Sequence, residues 1–372
     1  MRVLVLNAGS SSLKASVLET TGLQTLARTE VFLGTDATRS EARRRSVQDV
    51  LQALRQTVDL ESVGGVGHRV VHGGTRFRTA VCIDAEVLAG IEALTEFAPL
   101  HNQVAADTIR AAQSAFPAVP QVAAFDTAFH AGLPPAGFVY PVPYRWYEEW
   151  GIRRFGFHGL SVTWALERAG ALLGKPSPEL GLVVAHLGSG CSVTAVWRGQ
   201  SVDTSMGLTP LEGLMMGTRA GSVDPGILIY VLRTGRVKRE ELEDQLDHQS
   251  GLVGVSGRSA GMRELEQAAT GGDKRARLAI EIFIRKAAAG IAAAGTALPQ
   301  LDAVVFTGGI GEHSGRTRAA IVSRLAVLGV QAIGDGEVTE DAILSAAGAG
   351  PVVLRIEARE DAVIARQVEA AL

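Results

Sequence analysis

Val3-Leu4-Val5-Leu6, then Asn7-Ala8-Gly9-Ser10-Ser11-Ser12, then Leu13-Lys14 running on to Leu18, is the stretch that decides the fold. The first four residues are a short apolar run and read as a buried strand. The small polar residues after them read as a turn, and Leu13 to Leu18 as a second strand. A strand, a glycine/serine turn and a strand with a lysine near its start is one way to hold a phosphate. Glycine lets the backbone approach closely, hydroxyls and N–H groups donate, and the ammonium adds charge. The segment is not a GxxxxGK[ST] loop, and no helix follows directly. On these residues alone a plain β-hairpin accounts for it as well.

The pattern returns in the middle of the chain. Leu182-Val183-Val184-Ala185 is followed by His186-Leu187-Gly188-Ser189-Gly190-Cys191-Ser192 and then by Val193 to Trp197. Gly9 falls on Gly188 and Asn7 on His186, which suggests two copies of one fold. A third glycine turn, Gly308-Gly309-Ile310-Gly311, follows the apolar run Ala303 to Val305 and precedes a helical pattern from Arg316 to Leu328. A strand, a glycine turn and a helix make a natural nucleotide contact, although GGIG lacks the full GxGxxG spacing. Strand-like and helical runs alternate throughout, which indicates α/β architecture.

The bulk numbers narrow the class. The chain has 372 residues, enough for about two domains, and 47% hydrophobic with 20% charged residues marks a folded chain. A formal net charge of −3 gives no basic field for nucleic acid, and no apolar run is long enough to span a membrane. Arg43-Arg44-Arg45 reads as a solvated helix face. Cys82 and Cys191 stand far apart, so a disulfide framework is not indicated and a reducing cytoplasm fits. The alanine- and glycine-rich stretch from Ala287 to Ala297 reads as a helix packed closely on another backbone. The proline-rich stretch from Leu133 to Pro143 reads as a boundary loop, and the aromatics Tyr144, Trp146, Tyr147 and Trp150 beside it as core or subunit interface.

Several residues carry possible chemistry. Arg69 and Arg219 read as lying in glycine-flanked loops, where a guanidinium fork suits a carboxylate or a phosphate; a structural salt bridge explains either one alone equally well. His101, His130 and His158 lie in polar segments, and no Cys/His spacing suggests zinc. Asp126 follows the apolar run Val122 to Phe125 and should sit at a strand end. Glu360 and Asp361 are placed as Mg²⁺ ligands or as helix N-terminal acids. Residues 203–213, Asp203 to Gly213, are dense in small and hydroxyl side chains, a composition suited to contacting a ligand.

Taken together, NAGSSSLK, GHRVVHGG, FAPLHN, FDTAFH, GIRRFGFHG, DTSMGLTPLEGLMMGTRAG, VDPG and VVFTGGIGE closely resemble the acetate kinase family, acyl-phosphate-forming kinases of the sugar kinase, heat-shock chaperone and actin superfamily. The match runs from residue 2 to about residue 366. The resemblance implies an α/β fold of two duplicated ribonuclease-H-like domains with an active-site cleft between them. It implies a first domain of residues 1–148 plus a C-terminal helix of about 360–372, and a second of 149–359 that binds nucleotide and dimerises. It implies reversible, Mg²⁺-dependent (or Mn²⁺-dependent) in-line transfer of the γ-phosphoryl group of ATP to acetate, giving acetyl phosphate and ADP, by a cytoplasmic homodimer.

The implied roles follow residue by residue. Asn7, Ser10, Ser12 and Lys14 line the transfer site. Arg69 and Arg219 hold the acyl carboxylate and the transferring phosphoryl group. Val71, Leu100, Phe157 and Pro210 form the methyl pocket. His101 and His158 contact phosphoryl oxygens. Asp126 and Glu360 position Mg²⁺, with Asn7 as a further metal contact. His186, Gly188, Ser189, Gly190, Arg263, Gly308, Gly309, Ile310 and Gly311 serve the nucleotide. Positioning and charge neutralisation should dominate catalysis, because a carboxylate nucleophile needs no general base.

The chain departs from the family pattern at Ser189, Leu160, Gly261, His313 and Asp361, so nucleotide handling should be the part most altered. Propionate or butyrate is the alternative acceptor. A non-catalytic nucleotide-binding protein of the actin and heat-shock-chaperone type is the alternative of another class, since one fold supports both.

Overall fold

A computed structural model describes residues 1–9, 12–32, 40–96, 99–346, 348 and 350–372, with the side chains of 99 and 100 outside that description. Ser10 and the side chain of Leu100, both expected at the site, therefore lie outside the described residues.

The opening run forms β1 (Arg2–Ala8), followed by β2 (Ser12–Glu19), β3 (Gln24–Phe32), β4 (Val63–Val70), β5 (Val81–Cys82) and β6 (Gln121–Phe125). The second half supplies β7 (Gly181–Leu187), β8 (Cys191–Trp197), β9 (Gln200–Thr204), β10 (Ala303–Thr307), β11 (Ala342–Ile343) and β12 (Val352–Arg355). The sheet orders are β3-β2-β1-β4-β6-β5 and β11-β12-β10-β7-β8-β9. In the first, β1, β2 and β3 form an antiparallel meander, β4 and β6 add in parallel, and β5 closes the edge antiparallel. The second repeats this strand for strand, from the meander β7-β8-β9 to the edge strand β11. The duplication that the two hairpins suggest is thus a property of whole sheets.

The hairpins differ by one residue. In the first, Ala8 pairs with Leu13, and the Gly9 N–H donates to the Ser12 carbonyl at 2.8 Å. In the second, Leu187 pairs with Cys191, and the Gly188 N–H donates to the Gly190 carbonyl at 2.9 Å.

Both faces of β1 are covered, which explains why it reads as continuously apolar rather than alternating. Leu4 and Leu6 pack with Val47, Val50, Leu51 and Leu54 of helix α1 (Ser40–Arg55) and with Val104 and Ala112 of helix Pro99–Ala115. Val3 and Val5 pack with Leu160 and with Val363, Ile364 and Val368 of the C-terminal helix Glu360–Ala371. That helix lies directly on the backbone of β4. A Cβ on Gly65 would meet Val368 at 2.6 Å, and one on Gly67 would meet Ile364 at 2.4 Å. Strand glycines mark such close approaches. Arg69 therefore lies in β4, paired with Ala124 of β6, and not in the loop that its flanking glycines suggested.

Two further expectations are corrected by packing. Arg44 and Arg45 are exposed, as a solvated face requires, but Arg43 is fully buried on the apolar stripe of α1 with Val47. The helical pattern from Arg316 to Leu328 breaks: a helix covers Gly315–Val322, and a separate short turn, Ala326–Leu328, ends at Gly329 with φ +74°. The small-residue helix holds as expected. It spans Lys274–Gly295, contacts β7 and β8, and buries Ala287, Ala288, Ile291 and Ala294.

The described chain divides into one unit of 1–131, 157–164 and 359–372 and another of 132–156 and 165–358. Residues 132–148, expected with the first, belong to the second. The Tyr140 hydroxyl donates to Glu212, and the Leu208 N–H donates to the Tyr140 hydroxyl at 3.0 Å. Residues 157–164, expected with the second, return to the first, where the Gly159 N–H donates to the Asp126 carbonyl at 2.9 Å and Leu160 is core. Among the described residues no helix is long and apolar enough to cross a membrane.

Candidate active site

The first unit gathers four of the expected residues at the C-terminal ends of its central strands, the edge where open α/β sheets bind ligands. Arg69, near the end of β4, reaches Asp126, which directly follows β6. Its Nε donates to Oδ1 at 3.0 Å and its Nη2 to Oδ2 at 2.5 Å, a two-pronged pair. Asp126 has no solvent exposure, and the His158 backbone N–H also donates to its carboxylate. Burial pushes the Asp126 carboxyl up to about 6, against the pull of Arg69. Burial also works against the Arg69 charge, but Asp126 and Glu360 outweigh it and hold the guanidinium above its ordinary value.

Asn7, near the end of β1, joins this pair to the C-terminal helix. Its Oδ1 accepts from Arg69 Nη1 at 3.3 Å, and its Nδ2 donates to Glu360 Oε2 at 3.0 Å. Glu360 opens the helix, accepts from the Ser161 hydroxyl at 2.5 Å and lies 3.7 Å from Arg69 Nε. Ser161 was not singled out by sequence; its only signal was its place within the FHGLS segment. His158 has φ +57°, a left-handed conformation that is costly for a non-glycine residue and that concentrates at functional sites.

Around this cluster, Val71 and Phe157 are buried. The Phe157 carbonyl lies 3.0 Å from His130 Nε2, and its ring meets His72 edge-on at 5.5 Å. Burial lowers the His130 pKa to about 4, so that ring is neutral and structural. Asn102 accepts from the His72 N–H at 3.1 Å and donates to the His72 carbonyl at 2.9 Å. It thereby fixes the segment after β4 to helix Pro99–Ala115, whose first turn carries half-buried His101. The Ser12 hydroxyl donates to Glu30 of β3 at 2.7 Å, and the exposed Lys14 ammonium lies 4.0 Å from the same carboxylate.

The second unit brings together most of the expected nucleotide residues. Thr307 of β10 pairs with His186 of β7, and Gly308 follows with φ +77°. A Cβ on Gly308 would lie 2.9 Å from the Leu187 carbonyl, and one on Gly188 3.7 Å from the Gly309 nitrogen, so hairpin and glycine turn adjoin. Ile310 and Gly311 lie in the short helix Gly308–His313 that opens there. The Gly217 N–H donates to the Ser189 carbonyl at 3.0 Å, which ties the Arg219 loop to the same hairpin. Arg219 Nη1 donates to the Pro210 carbonyl at 2.6 Å. Arg263 is exposed on helix Met262–Thr270; Glu266 of that helix accepts from Ser314 at 2.7 Å and Thr317 at 3.1 Å.

Sequence reading missed what supports the 203–213 loop. Arg154 Nη1 donates to the carbonyls of Thr204, Ser205 and Met206 at 3.0, 3.1 and 3.2 Å, and its Nη2 to Glu212 at 3.0 Å. With Tyr140 on the same carboxylate, these side chains hold the loop that carries Pro210.

Mg²⁺ takes one or two carboxylates together with water and substrate phosphates, rather than a full protein cage. The carboxamide and carboxylate oxygens of Asn7 and Glu360 suit that demand. Among the described residues no three-member His/Cys/Asp/Glu group forms a cage. Asp126, also expected to position the metal, accepts from Arg69 at both oxygens.

A duplicated sheet with a guanidinium, carboxylates and an amide at the strand ends of one copy, and a glycine turn beside the hairpin of the other, defines a phosphotransferase built for anionic substrates. The acetokinase family model matches residues 2–366, and the chain belongs to that family. It is 45% identical over 393 residues to the acetate kinase of Deinococcus deserti, covering 100% of this chain and 98% of that one. Its structure is similar to a propionate kinase from Francisella tularensis, with a TM-score of 0.89, 37% identity and 100% of both chains covered. It is similar also to Porphyromonas gingivalis acetate kinase, with a TM-score of 0.88, 31% identity and 100% and 99% covered.

Proposed function

We propose that the protein transfers the γ-phosphoryl group of ATP reversibly to acetate, giving acetyl phosphate and ADP. The observation that carries this reading is the state of the two carboxylates beside Arg69. A hydroxyl acceptor would need an aspartate placed to take its proton. Asp126 is bound at both oxygens by a guanidinium, and Glu360 accepts from Ser161 and Asn7, so neither is set as a base. An acceptor that arrives as a carboxylate needs no base, and a guanidinium suits it.

In this reading Arg69 binds the acetate carboxylate, with Asp126 fixing its orientation. Val71, Leu100, Phe157 and Pro210 are the residues assigned to the methyl group. Arg219, His158 and His101 neutralise charge on the transferring phosphoryl group. The glycine turn at Gly308–Gly311, with His186, Gly188, Ser189, Gly190 and Arg263, holds the nucleotide, and Ser10, Ser12 and Lys14 attend its phosphates. Asn7 and Glu360 would hold Mg²⁺, which supplies charge neutralisation between the phosphates. Propionate remains the nearest alternative acceptor, since one methylene discriminates by only about 1–3 kcal/mol.

The protein acts as a cytoplasmic homodimer in this proposal. Ile227, Ile229, Tyr230 and Leu232, 40–63% exposed on helix Pro225–Arg233, support an apolar interface on the second unit. ADP release measured with acetate and Mg²⁺ tests the function; a rate no higher than that of Arg219→Ala would refute it. Light scattering at the mass of a monomer would refute the dimer.

A further inference from the structure

We propose that Arg43 is a positioning residue for the nucleotide phosphates, acting through the backbone of Gly9; the proposal rests on the reading of the first hairpin as a phosphate-facing turn. Arg43 lies on the apolar stripe of α1, one turn before Val47, where the pattern calls for an aliphatic side chain. It has no solvent exposure. Its Nη2 donates to the Gly9 carbonyl at 2.7 Å, while the Gly9 N–H donates to the Ser12 carbonyl at 2.8 Å. Both backbone groups of the turn's first glycine are thus committed.

The contact does two things for an anion at the turn. It draws the Gly9 carbonyl oxygen to the α1 side, so that its negative end is not offered to a phosphate. It also sets a positive charge against the Gly9 carbonyl in a low-dielectric interior, where charge acts over a longer range than in water. Burial pushes the Arg43 guanidinium down to about 10, with Asp107 opposing. Asp107 is shared with Ser40, Gln103 and Arg110. A buried arginine is no general route to stability, because an apolar residue of similar size often does as well. Its place at one carbonyl of the phosphate turn gives it a reason of another kind.

The test compares Arg43→Met and Arg43→Lys with the wild type in two readouts. One is ATP affinity by titration calorimetry without acetate; the other is kcat with the KM values for ATP and acetate. A charged hydrogen bond of this kind corresponds to about a tenfold change. Arg43→Met should bind ATP about tenfold more weakly and raise the ATP KM by a similar factor, with the acetate KM within about twofold. Arg43→Lys, which keeps a charged donor, should recover part of the loss, and it carries the test if Arg43→Met does not fold. A folded Arg43→Met with wild-type ATP affinity overturns the proposal. So do parallel rises in both KM values that Arg43→Lys fails to relieve. If the wild type binds ATP but phosphorylates no carboxylate, the functional reading fails while the titration still decides the role of Arg43. If the wild type does not bind ATP, both fail.

Discussion

Replacing Asp126 by asparagine should separate the orientation of Arg69 from its charge. In the wild type both Asp126 oxygens accept from Arg69, at 3.0 and 2.5 Å, and the Asp126 side chain has no solvent exposure. Asparagine keeps the shape but offers one acceptor oxygen, and its NH₂ faces a guanidinium donor. One prong is lost, and among the described residues the guanidinium retains Glu360, 3.7 Å away, as its acid neighbour. A guanidinium displaced by about 1 Å costs on the order of 10²-fold in rate. Steady-state kinetics with varied acetate should therefore show kcat down about a hundredfold and the acetate KM raised. The pH dependence adds a second reading. Because burial raises the carboxyl to about 6, the folded protein binds the proton more tightly than the unfolded chain, and stability should fall as pH rises from about 4 through 6. Activity needs the ionised pair, so kcat/KM should fall as pH drops through about 6, and Asp126→Asn should lack that limb. A folded Asp126→Asn protein with wild-type kcat, acetate KM and acid limb would refute the reasoning.

Three further outcomes follow from the same geometry. Val71→Ala should enlarge the acyl pocket and raise kcat/KM for butyrate relative to acetate by about tenfold, given about 1–3 kcal/mol per methylene; an unchanged ratio removes Val71 from the pocket. Glu360→Gln should raise the Mg²⁺ concentration for half-maximal rate by about tenfold or more while ATP affinity without metal holds, as metal titrations of the rate would show. Tyr140→Phe removes the hydroxyl shared by Glu212 and the Leu208 N–H, so it should cost about 1–3 kcal/mol by denaturant unfolding; an unaltered midpoint would show that Arg154 alone holds the loop.

What the sequence revealed was local. The two hairpins were legible because apolar runs flanking glycine and serine state both the strands and the turn. Asp126 was placed correctly because a buried strand precedes it. What was hidden depends on contacts distant in sequence. The glycines before Arg69 looked like loop residues, but they are strand positions flattened under Ile364 and Val368, nearly 300 residues later. Arg43 was indistinguishable from Arg44 and Arg45, because only the angular position on α1 relative to Val47 buries one of the three. The chain's return to the first unit at 157–164 rests on Gly159 against the Asp126 carbonyl, a contact no local pattern announces. Within the cluster, Arg69 and Glu360 stood out from their local setting and the resemblance supplied their roles, whereas Ser161 and Arg154 act through hydrogen bonds to partners distant in sequence and left no composition signal.

The central claim is that the acceptor is a carboxylate. Phosphorus NMR of the wild-type protein with ATP, Mg²⁺ and acetate tests it most directly. The account predicts an acyl phosphate resonance growing in step with ADP and disappearing on addition of hydroxylamine. ADP accompanied only by inorganic phosphate, at a rate indifferent to acetate, would contradict it.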